Sequence, residues 1–131
     1  GSVDTLLDSM DFHGATQAYL WGLPIVSSAN FQYYLDDVFK VRQGELVKFI
    51  SLEDKLGILT ANATTPYILA TADLEKIGPY VIELPAGDTA GLVDDFWQRP
   101  IIDIGLPGPD KGKGAKYLIT PPGYKGDKPS G

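Results

Sequence analysis

Glycine and proline are distributed unevenly along the chain. Of the 15 glycines and 10 prolines in 131 residues, most stand in the second half, where turns must be frequent and long helices cannot run. The first third has a different texture. From Val3 to Phe39 apolar residues recur at three- and four-residue intervals, through Leu6, Leu7, Met10, Phe12, Ala15, Tyr19, Leu20 and Leu23, which is the spacing of a helix face. Asp11 is placed to cap a second helical run, Gly14 and Gly22 weaken its interior, and Pro24 either kinks or ends it. Beyond Pro24, Asn30, Phe31, Tyr34, Leu35 and Val38 are spaced to share a face. The reading is a kinked helical hairpin or one long bent helix.

After Gly44 the pattern changes to short β-type runs between turn residues: 46–52, 57–60, 67–72, 80–84, 100–104 and 116–120. The intervals 85–95 and 105–115 read as long loops, where binding groups tend to sit. The expected class is therefore α+β, a helical N-terminal third packed on an antiparallel, loop-rich sheet or partial sandwich. At 14.1 kDa residues 1–131 form a single domain. The strand at 117–120 runs into Pro121-Pro122-Gly123 with no strand returning from it. A partner strand is therefore expected from other polypeptide.

Net charge is −6, which disfavours attraction to nucleic acid or an anionic membrane surface. The balance is −9 over residues 1–107 and +3 over 108–131, so a basic segment closes an acidic chain. It reads as a solvated Gly/Lys/Pro loop or as an anion or partner site. No cysteine and a single histidine, His13, are present, which removes thiol chemistry, disulfides and cysteine-ligated metals. No apolar run reaches the roughly 20 residues of a membrane span. No cofactor or metal is expected.

Several strings invite a chemical reading. Gly108-Pro109-Asp110-Lys111-Gly112-Lys113-Gly114 has the texture of a phosphate loop but lacks its spacing and its hydroxyl residue, so a structural turn is the better reading. Asp94-Asp95-Phe96-Trp97-Gln98-Arg99 gathers carboxylates, an aromatic and a guanidinium. Arg99 can grip Asp103 or a substrate acid, or form an ion pair that pins its own loop. The polar segment 60–67 can bond its own backbone or floor a pocket. The candidate substrate-binding residues are Asn62, Thr65, Tyr67, Trp97, Arg99 and Asp103, and no catalytic group is assigned.

The strings Ala18 to Pro24, Asn62 to Tyr67, Asp95 to Pro100 and above all Asp103 to Leu118 closely resemble the bacterial domain-of-unknown-function family 1254. That resemblance implies an N-terminal part of a longer, secreted or periplasmic protein, with a signal peptide and a second β-rich domain. It also implies a hydrolase of esterase or lipase type acting on a small-molecule or lipid substrate. No Gly-x-Ser-x-Gly elbow is present. The alternative is a non-catalytic interaction or structural domain of the cell envelope. The family's usual Asn-Asn-Asp-Thr-Pro-Tyr reads here Asn62-Ala63-Thr64-Thr65-Pro66-Tyr67, so Thr64 stands at the acidic position. The expected partner is the C-terminal remainder of the protein or a symmetry-related copy, with Lys111, Lys113 and Lys116 near a neighbour's acidic surface.

Overall fold

A computed structural model describes residues 1–55, 58 and 60–128. The helical spacing of the first third resolves into one continuous helix, α1 (Ser2–Tyr33), with Pro24 inside it. Proline lacks the amide that would bond the Leu20 carbonyl, so the chain tolerates it only at the cost of one helical hydrogen bond. The helix runs on into a π-helical turn, Tyr34–Val38. Neither a hairpin nor a break at Asp11 forms.

Gln43 ties the end of this helical segment to the backbone at Asp73. Its side-chain amide donates to both Asp36 oxygens, at 3.0 and 2.7 Å, and its carbonyl accepts from the Asp73 amide at 2.8 Å. Asp73 in turn caps a short helix, α2 (Leu74–Ile77), by accepting from the Glu75 amide.

The rest of the chain is built from three antiparallel two-stranded ribbons. Strand β1 (Val47–Phe49) pairs with β2 (Tyr67–Leu69), β3 (Tyr80–Leu84) with β6 (Ala115–Ile119), and β4 (Ala90–Asp94) with β5 (Pro100–Gly105). The α+β class holds. Three of the six predicted runs match strands to within two residues of each end, two shrink to three-residue strands, and residues 57 and 59 of the run at 57–60 lie outside the described residues. The 85–95 loop instead contains β4. The missing-partner inference for the last strand is also corrected: β6 pairs along its full length with β3, from Tyr80 opposite Ile119 to Leu84 opposite Ala115.

The glycine-rich stretch after β5 is a clasp between ribbons. The Asp110 carboxylate accepts from the Gly105 amide at 2.8 Å and from the Tyr117 hydroxyl, tying the end of β5 to the middle of β6. Leu106 N donates to Thr89 O at 2.7 Å and Gly87 N to Gly112 O at 3.0 Å, so the two long connections lie against each other. Gly105 sits at φ +77°, and a Cβ there would fall onto the Thr89 carbonyl. The clasp needs glycine at that point for both reasons.

Little of this is buried. The fully buried apolar side chains among the described residues are Leu35 and Phe49, 3% and 6% exposed, with Phe39 edge-on to Phe49. The chain exposes 9965 Å², where a folded monomer of its mass exposes about 6,700 Å².

Substituting Gly105→Ala is expected to lower the unfolding free energy by more than about 2 kcal/mol. Gly14→Ala, in open space on α1, is expected to leave it unchanged or raise it by up to about 1 kcal/mol. Urea unfolding of the two variants beside wild type reads the difference.

Candidate functional site

The six candidate residues fall into two clusters and one outlier. The first cluster is organised by Asn62. Its side-chain oxygen accepts from the Thr64 amide at 2.8 Å, the Thr64 hydroxyl at 2.9 Å and the Thr65 amide at 3.3 Å, an Asx turn that shapes the loop before β2. Its own amide donates to the Tyr67 hydroxyl at 2.7 Å. Thr64 is thus a surface residue of a turn, at the position where the resemblance places an acid.

Lys55, which sequence reasoning passed over, sits beneath this loop. It closes a 3-10 turn, Glu53–Lys55, and is only 1% exposed. Its Nζ donates to the carbonyl oxygens of Asn62 at 2.6 Å and Thr65 at 2.9 Å and lies 5.0 Å from the centre of the Tyr67 ring. The ammonium is held by two carbonyl dipoles and an aromatic face, with no carboxylate in contact among the described residues. Nothing in the spacing around residue 55 announces this, since its acceptors are backbone atoms seven and ten residues downstream.

The second cluster is the turn between β4 and β5. The Asp95 carboxylate accepts from the amides of Trp97 at 2.8 Å and Arg99 at 3.1 Å, and from the Arg99 guanidinium through Nε at 2.7 Å and a terminal nitrogen at 2.6 Å. The guanidinium hydrogen bond, reinforced by these amides, holds the Asp95 carboxyl below its ordinary value. Partial burial, helped by the neighbouring Asp95 charge, pushes the Asp94 carboxyl up. Arg99 therefore pairs with Asp95 within its own turn, and Asp103 is left alone on β5 opposite Leu92, exposed and without a side-chain hydrogen bond or ion pair among the described residues.

This turn meets α1. Trp21 and Trp97 lie with ring centres 4.9 Å apart at 55°, and the Gln98 side chain donates to the Pro24 carbonyl at 3.2 Å. Trp21, Trp97 and Arg99 line an open hollow of about 330 Å³. Trp21 was not among the expected site residues, although the chain has only two tryptophans and here they pack together. No hydrogen bond or ion pair among the described residues joins this hollow to the Asn62 loop. No His, Asp and Glu side chains are gathered closely enough among them to hold a metal ion.

The Gly108–Gly114 stretch completes the inventory. Asp110 is held below its ordinary carboxyl value by the Tyr117 hydroxyl first and by the Gly105 amide. Its second oxygen is buried with no partner. The loop binds itself.

The model of a family described as Protein of unknown function (DUF1254) matches residues 47–131. The chain belongs to the DUF1254 family. No curated protein matches it. The DUF1254 match begins at β1 and takes in the Lys55 loop, the Asp95 turn and the Asp110 clasp, whereas α1 with Trp21 precedes it. One wall of the hollow thus comes from the matched segment and the other from outside it. No helix among the described residues is long and apolar enough to cross a membrane.

Two outcomes are expected. Lys55→Met keeps the apolar stem but leaves two carbonyls unpaired, and should lower stability by about 2–4 kcal/mol in urea unfolding. Asp110 and Asp95 have folded carboxyls lowered from an ordinary 3.8, so the stability they contribute is complete above that value and is lost as pH falls through the folded values. Asp110→Asn should therefore cost stability near neutral pH, and the gap to wild type should narrow on acidification below about pH 4; calorimetry across that range measures it.

Proposed function

We propose that this chain is a non-catalytic interaction module of the cell envelope. The observation that supports it is the surface of α1. No side chain of its 32 residues is buried, and Leu6, Met10, Phe12, Tyr19, Leu20 and Val26 all stand more than half exposed around it. A helix that exposes this many apolar side chains on more than one side of its axis belongs inside a larger core or an interface, and an exposed apolar surface of this size marks an interaction site. The excess over a monomer's accessible surface is several times the about 800 Å² that one partner contributes to a standard interface. Placement in the periplasm or outside the cell follows from the family resemblance and belongs to the same proposal.

A photo-crosslinking residue placed at Leu6 or Tyr19, in the cell that makes the protein, tests the reading. Adducts of discrete mass are expected from both positions and none from Glu53, an exposed position on the body. Equal labelling at all three would overturn it.

The hollow between Trp21, Trp97 and Arg99 favours a second reading, a hydrolase acting on ester or lipid substrates. Two indole faces can hold an apolar group, and the one guanidinium nitrogen not committed to Asp95 can donate to a carboxylate or phosphate. Assay of the protein against ester and lipid panels, with Arg99→Ala beside wild type, decides it. Hydrolysis that falls at least about tenfold in the variant, while its unfolding is unchanged, supports the enzyme; no turnover by wild type removes it.

A further inference from the structure

The charge on α1 is arranged. Residues 1–39 contain no lysine or arginine, and within α1 the acidic residues are Asp4, Asp8 and Asp11, spaced i, i+4 and i+7 so that they share one face of the first three turns. Asp4 meets the terminal ammonium at 3.3 Å, and Asp8 and Asp11 make no ion pair among the described residues. Val3, Leu6, Leu7 and Met10 follow a parallel stripe at i, i+3, i+4 and i+7, each more than half exposed. The start of α1 is thus an apolar stripe with an acidic border.

The body of the molecule carries the complement. Lys111 and Lys113 are exposed and make no ion pair among the described residues, and Lys116 reaches Glu83 only at 3.3 Å on the surface. The clasp fixes them: Lys111 stands at φ +52° between turn hydrogen bonds, and Gly112 and Gly114 hold the backbone around it. Exposed Leu106 lies beside Gly112, and exposed Val81 shares the outer face of the β3–β6 ribbon with Lys116. Three lysines thus stand on the same clasp and ribbon as two exposed apolar side chains, Leu106 against the clasp and Val81 on the ribbon. Within one chain no ion pair among the described residues joins the two surfaces.

We propose that the first three turns of α1 dock on the Lys111–Lys116 patch of a second copy of this chain, and that two such contacts form a two-fold dimer. Self-complementary patches are what a two-fold axis requires, since each surface meets its opposite twice. Opposed charges at the border set the register and the apolar stripe supplies the burial. The exposed area in excess of a monomer is ample for both contacts. The proposal rests on the reading of α1 as an interaction surface and names its partner.

Sedimentation equilibrium of the whole chain tests it with three variants: Lys111→Glu/Lys113→Glu, Asp8→Lys/Asp11→Lys, and Leu6→Asp/Met10→Asp, each checked by circular dichroism for retained fold. Wild type is expected to be a dimer that loosens as salt rises, because border charges are screened within about 10 Å at 0.1 M. Each charge reversal should weaken self-association by at least about tenfold. An equimolar mixture of the two charge-reversed proteins should restore it, since both contacts in the mixed dimer again pair opposite charges, one with the native signs and one with both signs reversed. A wild-type monomer overturns the dimer, and charge-reversed proteins that dimerise as wild type does overturn this docking. If the charge reversals have no effect but Leu6→Asp/Met10→Asp abolishes association, this partner surface is wrong and the interaction reading of α1 stands. If none of the three variants alters a wild-type dimer, that reading falls as well.

Discussion

The Asp110 carboxylate joins two ribbons that no core joins. With one oxygen it takes the amide at the end of β5 and the hydroxyl of Tyr117 in β6, and the turn it organises carries the Lys111–Gly114 backbone against the connection between β3 and β4. A two-stranded ribbon is marginal in water by itself. Here three of them share a body in which few apolar side chains are buried, so the turns carry more of the specification than usual. The same device recurs along the chain. Asp54 accepts from the Ile50 and Ser51 amides, Asn62 shapes the loop before β2, Asp73 caps α2 and Asp95 ties the β4–β5 turn. Each is a short acceptor bonding backbone donors nearby, the role these residue types fill in turns.

That pattern explains what could be read from the amino acids in advance. The texture change at Gly44, the strands at 80–84 and 100–104 and the structural character of the Gly108–Gly114 stretch are legible because alternation, glycine and proline are local signals. Strand β4 is not, because Ala90-Gly91-Leu92-Val93-Asp94 is a weak strand sequence made one by pairing with β5. Leu74–Ile77 escaped for want of length. The pairing of β6 with β3 joins segments some 35 residues apart in the chain, and nothing in Tyr117 to Thr120 indicates which partner it takes.

For the candidate site the division is similar. Asn62, Thr65 and Tyr67 do come together, and so do Trp97 and Arg99, because each group is contiguous in sequence and its contacts close within a turn. Lys55 and Trp21 depend on placement beyond their own turns, whereas Arg99 takes Asp95, four residues away, in the ion pair that pins its own loop. The charge asymmetry between an acidic body and a basic end was visible at once. Its geometric form, an acidic border on a helix and a lysine border on a clasp, appears only when the elements are in place. In this chain the Gly108–Gly114 stretch closes on its own backbone, on Gly87 and on Tyr117, and Lys111 and Lys113 stand exposed on it.

The central claim is that α1 is a helix whose apolar surface is covered by another molecule rather than by its own chain. Hydrogen exchange of the α1 amides as a function of protein concentration tests this most directly. A helix of this composition, short of one hydrogen bond at Pro24 and packed on little else, should open readily when alone. The account predicts fast exchange over residues 6–30 in dilute protein and marked slowing as concentration rises, while the amides of Gly105, Leu106 and Gly108 stay protected throughout. Slow exchange along α1 that is independent of concentration, in protein shown to be monomeric, would contradict it.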